Sequence, residues 1–500
     1  MKRLLLLLTC VLVVCALVAC VGTAGPQGIQ GEKGEQGIQG LPGEDGKNGV
    51  DGANGKDGAP GVNGITPNLK MIDCDIWVSY DEGDNWELLG CINYINGKHA
   101  YSEGLEYELS DDKTYYSVVG MGACTDTDIK IPNIYNNLPV KRIGESAFNY
   151  SYNIESITIP GSVTDIDIDK YALAKCYSLT SIEVSDDNQH YKSIDGNLYT
   201  KDGKTLVQYA IGKKDSVFTV PDGVTSIGEY AFFHCKTINS VIIPNSVTSI
   251  GELAFCSCNN LYLIDISSSV AVIGERAFIY CYNLLNISVN EDSQYYKSID
   301  GNLYTKDGKT LVQYALAKSD TFFAIPDGVT TISGYALLCC NNLTNITIPS
   351  SVSSIGISAF DGCAKLTSII VDVDNEYYKS IDGNLYTKDG KTLVQYAIGK
   401  TDVLFIIPDG VTSLGYSSFA ACENLSGIVI PKSVTDIESL RVYITDSLNS
   451  VYYVGTESEW NNINIDNPYF AKATRYYYSE TEPTVSGNYW HYVDGKVVVW

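Results

Sequence analysis

Residues Leu343–Cys363 read LTNITIPSSVSSIGISAFDGC, and the way their apolar positions fall decides the fold. Leu343, Ile346 and Ile348 form one short extended pattern, Val352 and Ile355 a second, and Ala359 and Phe360 open a turn-like third side. No single unit of this size can cover so many apolar side chains. Stacked in register, each unit buries its row against its neighbours, so the stretch predicts a solenoid with a continuous core.

The copies are present. Residues equivalent to Pro349 fall at 132, 160, 185, 221, 244, 267, 290, 326, 349, 372, 408 and 431, and the commonest step is 23 residues. Three steps are 36 residues long, and each of these holds the phrase YKSIDGNLYTKDGKTLVQYA, which occurs letter for letter from Tyr191, Tyr296 and Tyr378. The copies lie 105 and 82 residues apart, a difference of one unit. Asp202-Gly203 favours a tight turn between two extended runs, so the phrase reads as a β-hairpin projecting from the coil, with Tyr199 facing Leu206 and Leu198 facing Val207. Recent duplication accounts most simply for the identity, and a repeated ligand contact is the alternative. DGKT does not make a phosphate loop, because Leu198 stands where that loop needs a glycine and no helical pattern follows.

Seven units place a cysteine three residues after the Phe or its Leu substitute: Cys176, Cys235, Cys258, Cys281, Cys340, Cys363 and Cys422. A stacked column of buried thiols explains them, since Cys behaves as a small core residue. With VTSIGEYAFFHC from Val224 and SVTSIGELAFCSC from Ser246, the pattern resembles the BspA-type leucine-rich repeats of bacterial surface proteins. The resemblance covers residues 101–450 and implies a mainly β repeat solenoid with short helical turns. Gly223, Ser246, Ser269, Gly328, Ser351 and Gly410 stand where the usual leucine-rich repeat has Asn or Cys, a departure that fits the BspA-type variant.

Residues 1–20 read as an export signal, with Lys2 and Arg3 ahead of an apolar stretch that stops at a Gly-rich segment. Leu17, Val18, Ala19 and Cys20 resemble the bacterial lipobox, which implies a lipid-anchored mature N-terminus at Cys20; an ordinary signal peptide or an uncleaved anchor is the alternative. Gly then fills every third position from Gly22 to Gly64. Only Gly fits at the axis of three intertwined polyproline-like chains, so residues 21–64 read as a collagen-like stalk, implying a homotrimer and a reach of about 130 Å. A flexible spacer is the other reading. Residues 65–100 read as a small β connector module in which Cys74 and Cys91 are candidates for a disulfide.

A net charge of −25 sets nucleic acid aside as a partner. Chemistry is equally hard to find: His99, His190, His234 and His491 have no partner spacing for zinc or a nucleophile triad, and DIDIDK from Asp165 lacks the glycine and terminal glutamate of a calcium loop. Neither an enzyme nor a cofactor is expected. Residues 451–500 are dense in aromatics, among them Tyr452, Trp460, Tyr469, Tyr476, Trp490, Tyr492 and Trp500, which read as a cap on the open solenoid end or as stacking platforms for sugar rings.

The expected function is that of an adhesin-like surface protein binding a host or bacterial macromolecule, protein or glycan. The alternatives are a structural surface component without a dedicated ligand and carbohydrate binding through the C-terminal aromatics. Strand alternation points one residue per unit away from the core, giving a column of Thr158, Glu183, Ile242, Asp265, Ser288, Thr347, Ile370 and Val429. Ile242, Ile370 and Val429 are aliphatic where a solvated face would favour polar residues. With Tyr262, Asp265 and Thr347 they are the candidate ligand-binding residues.

Overall fold

A computed structural model describes residues 67–72, 75–81, 84–91, 94–95, 98–99, 101–438, 447–465 and 473–500. Cys20, the Gly22–Gly64 period, Cys74, Tyr469 and the side chain of Cys91 lie outside them. The chain divides into two compact units, one ending at Asn93 and one beginning at Tyr94. In the first, strands Asn68–Ile72, Asp75–Ser79 and Glu87–Cys91 form an antiparallel sheet, with Lys70 Nζ 4.1 Å from the centre of the Trp86 ring.

The second unit is the solenoid. Its first side is a ladder of short parallel strands in register. Phe218, Val241, Ile264 and Ile287 form one inward column across Val217–Thr219, Ser240–Ile242, Leu263–Ile266 and Asn286–Val289, and all four are buried. The second side is narrower, with two-residue strands such as Ser226–Ile227, Ser249–Ile250 and Val272–Ile273. Coils approach closely where it ends: a Cβ on Gly251 would stand 2.5 Å from the backbone nitrogen of Glu229. The sequence therefore keeps glycine after each of these strands.

The third side is built from hydrogen-bonded turns. The short helical turns expected there reduce, within residues 101–438, to one three-residue 3-10 helix, Ile168–Lys170. Phenylalanines stack along this side, Phe232 on Phe255 at 4.8 Å and Phe255 on Phe278 at 5.6 Å between ring centres. The cysteines lie beneath them as expected. Cys258 Sγ donates to the Phe232 carbonyl at 3.1 Å and Cys281 Sγ to the Phe255 carbonyl at 3.0 Å, so each thiol ties its coil to the one before. Serine does comparable work on another corner, where the backbone N–H of Gly223, Gly328 and Gly410 donates to Ser246, Ser351 and Ser433 Oγ at 3.1, 3.1 and 3.2 Å. These bonds occupy the positions where Asn or Cys was missing from the pattern.

Two expectations are overturned. The core is not one continuous body: four large clusters follow one another with the three identical phrases between them, and a small fifth cluster of Leu253, Cys256, Ile279 and Leu338 runs past the second phrase. Nor does the hairpin project from the coil. Strand Asn197–Thr200 lies inside the solenoid with Leu198 in the cluster before it and Tyr199 in the cluster after it. Leu303 and Tyr304 divide the next pair of clusters, and Leu385 and Tyr386 the last. Tyr199 faces Leu206 as read, but a register shift after Leu198 pairs that residue with Gln208 rather than Val207.

Each phrase also closes the sheet edges of the block it ends. Ser193, Ser298 and Ser380 Oγ donate at 2.6 Å to the carbonyls of Ile182, Ile287 and Ile369, the edge strands of the first side. The N–H groups of the same isoleucines are taken by the carbonyls of Gly196, Gly301 and Gly383 at 2.8, 2.9 and 2.8 Å. On the second side, Tyr296 OH accepts from the edge residue Ile273 at 3.1 Å. The last strand of each phrase then starts the next ladder: Thr205–Gln208 pairs in parallel with Ser226–Ile227, and Tyr209 stacks on Phe232 at 5.1 Å. One sequence thus caps a block and restarts the repeat.

Candidate binding face

The outward positions of the first-side strands are where the candidate residues fall. Ile242 is 43% exposed, Ile370 45% and Tyr262, beside its strand, 53%. Asp265 is exposed and accepts a hydrogen bond from Ser288 Oγ, while Thr347 is half-buried. Val429 is only 1% exposed, which removes it from any accessible face. Its lateral neighbour Tyr452 stacks on Tyr476 at 5.1 Å and meets Trp490 edge to face at 5.8 Å, so the C-terminal segment covers this end of the ladder.

The face is also interrupted rather than one column. Thr219, Ile242, Asp265 and Ser288 belong to one sheet, and Ala324, Thr347 and Ile370 to the next, with a phrase between them. Tyr262 borders an open depression of about 570 Å³ lined by Asn239, Ser240, Asn260, Leu263 and Asn283. Three exposed apolar residues on the same side were not read from the sequence: Val217, Phe322 and Ile406. They stand in the strands VFT, FFA and LFI just before Pro221, Pro326 and Pro408, so the repeat spacing itself was the signal that could have found them.

Residues of the repeated phrases and of the other motifs have structural employment. Lys201 and Lys306 Nζ donate to the carbonyls of Asp186 and Glu291 at 3.1 and 3.0 Å, fastening each phrase to the acidic loop before it. In DIDIDK, Asp167 is held by Arg142, which donates at 2.5 and 2.7 Å, so a guanidinium occupies the carboxylate that a calcium ion would need. Among the described residues no group of three His, Cys, Asp or Glu side chains could hold a metal ion, and no helix is long and apolar enough to cross a membrane. Of the C-terminal aromatics, Trp460 and Trp490 are buried, with Trp490 Nε1 donating to the Tyr453 carbonyl at 2.9 Å. Strand Thr474–Tyr478 extends the first-side ladder and the antiparallel pair Tyr489–Val493 and Lys496–Val499 ends it.

This three-sided, 23-residue architecture defines a leucine-rich repeat solenoid. The chain matches the family described as BspA type leucine-rich repeat region over residues 119–203, 212–304, 309–390 and 401–479, and it belongs to that family. Residues 20–68 match the collagen triple helix repeat. No curated protein matches the chain. Among solved structures, it is similar to a leucine-rich cell surface protein of Faecalibacterium prausnitzii, at 27% identity over 73% of this chain and 97% of that one, with a TM-score of 0.44. It is also similar to the pneumococcal vaccine antigen PcpA, at 19% identity over 76% and 93% of the two chains, with a TM-score of 0.43. A leucine-rich repeat protein of Eubacterium ventriosum is 20% identical over 67% and 85%, with a TM-score of 0.37.

Proposed function

We propose that the protein is an adhesin-like binding protein, lipid-anchored at the bacterial cell surface through Cys20, which presents its solenoid on a collagen-like, trimeric stalk to a host or bacterial macromolecule. The observation that carries the binding reading is the exposure of Ile242, Phe322, Ile370 and Ile406 at outward strand positions. Thr219 and Asp265 pair with Ile242, Thr347 with Ile370 and Asn345 with Phe322, so the fold accepts polar residues at these positions and does not itself require the apolar ones. Exposed apolar side chains grouped on one side are a feature of interaction surfaces.

The test is adherence of beads coated with the exported chain to cultured epithelial cells and to immobilised matrix proteins. Ile242→Asp and Ile370→Asp should lower adherence at least tenfold, whereas Lys201→Ala and Lys306→Ala should leave it unchanged. The reverse pattern would place the contact on the three phrases. Adherence to no surface favours a structural component, and loss on Trp500→Ala alone favours the carbohydrate reading. For the anchor and stalk, Cys20→Ala should release the chain from the membrane fraction, and Gly43→Ala should lower the melting temperature of a trimer measured by sedimentation, because the axis has no room for a methyl group. Unchanged partitioning or a monomeric parent chain would remove the respective claim.

A further inference from the structure

The third side carries side chains that neither the fold nor the proposed face uses. Each unit holds one residue in left-handed backbone two positions before the Phe and another two positions after it. In the last units these are Ser358, Gly362, Ser417 and Ala421, so small residues satisfy the coil. In the first units they include Tyr150, Tyr171, Lys175, Tyr230 and His234. An L side chain in left-handed backbone costs about 1–2 kcal/mol relative to glycine, and burial does not offset this at Tyr150, which is 53% exposed. The left-handed backbone recurs in every unit, at Ser358, Ser417 and Ala421 as at Tyr150, so it belongs to the coil; what the first units add is large aromatic and basic side chains, exposed at Tyr150, where small ones serve the coil elsewhere.

The geometry around Tyr150 gives that role a chemistry. Lys175 Nζ lies 4.2 Å from the centre of the Tyr150 ring and donates to its hydroxyl at 2.6 Å. Tyr152, half-exposed, meets Tyr150 edge to face at 6.1 Å and lies parallel to Tyr177, 5.7 Å away. Lys236 Nζ sits 4.1 Å over the Tyr177 ring. The three corner segments that supply these residues, 149–153, 174–178 and 233–237, contain no Asp or Glu, in a chain of net charge −25. Burial and the two lysines push His234 down to about 4, so its imidazole is neutral at neutral pH.

We propose that this corner, formed by Tyr150, Tyr152, Lys175, Tyr177 and Lys236, binds an acidic polysaccharide. The exposed tyrosines offer flat apolar surface to the C–H face of a sugar ring, and the lysines offer ammonium groups to its carboxylate or sulfate. The site is on a different side from the strand face and does not depend on it.

The test is affinity electrophoresis of the exported chain through gels holding polygalacturonate, dextran sulfate or neutral dextran. An acidic polymer should retard the chain and dextran should not, with polygalacturonate and dextran sulfate separating a carboxylate from a sulfate preference. Lys175→Gln with Lys236→Gln should weaken retardation at least tenfold. Tyr150→Gly should weaken it about fivefold without lowering the melting temperature, since glycine suits left-handed backbone. No retardation by either acidic polymer, equal retardation by dextran, undiminished binding by these variants, or a Tyr150→Gly chain that melts earlier yet binds normally would each overturn the proposal.

Discussion

Asp361 sits one residue after Phe360, at the position that Cys256, Ile279 and Leu338 fill with apolar side chains in earlier units. It is 2% exposed, and burial raises its carboxyl from 3.8 to about 6, with Ser358 and Ser417 offsetting part of the effect. The folded chain therefore holds this proton more tightly than the unfolded chain. Below about pH 4 the carboxyl is protonated in both states and no penalty arises. As pH rises through 4 to 6 the unfolded state ionises first, so stability falls, by about 3 kcal/mol once both are ionised. The urea stability of the parent chain relative to Asp361→Asn should accordingly drop by about that amount between pH 3.5 and 7.5. A pH-independent difference would show that the carboxylate is solvated. The cysteines follow the same physics in a direction that removes chemistry: burial pushes the Cys176 thiol up to about 12 and raises Cys258 and Cys281 as well. A protonated, hydrogen-bonded thiol is a structural tie and neither a nucleophile nor a metal ligand.

At the scale of the element, the three phrases resolve why one sequence recurs unchanged. The ten residues that follow each copy, IGKKDSVFTV, LAKSDTFFAI and IGKTDVLFII, have diverged from one another although they include core positions. Duplication alone would not spare the phrase and change its flank. Its inner strand is constrained on both faces, because Leu303 and Tyr304 pack into different clusters, and its Ser and Gly close the edge of the block before. The Tyr304 hydroxyl is buried without a hydrogen-bond partner. Tyr304→Phe should hence leave the urea midpoint unchanged or raise it, whereas Tyr304→Ala should lower stability by about 3–5 kcal/mol through the cavity it opens between two blocks. A Phe variant as damaged as the Ala variant would mean that the hydroxyl is bonded. The hairpin strands and the Tyr199–Leu206 pairing were legible from turn chemistry and alternation. The burial was not, since a strand covered on both faces shows consecutive apolar residues with no polar face to orient it.

For the whole molecule, four large core clusters divided by the phrases, with only the small Leu253–Leu338 cluster passing one of them, predict stepwise mechanical failure. Pulled from its ends, the solenoid should unfold block by block, with contour increments of roughly 38 and 30 nm for the 105- and 82-residue intervals between phrases. A single rip or a smooth unzipping in force spectroscopy would show that the partitions do not isolate the blocks. The amino-acid sequence by itself determined the 23-residue unit, the inward strand residues, the cysteine column and the family, because these follow from contacts between neighbouring coils that recur at a fixed spacing. Only the tertiary structure decided that the core is divided, that Val429, paired with Tyr452, is buried while Ile242 and Ile370 are open, and that Tyr150 and Tyr152 share a corner with Lys175 and Lys236. Those outcomes depend on what is stacked above and below a given coil. A periodic pattern says that each coil has neighbours, and the side chains of those particular neighbours settle which residues are covered.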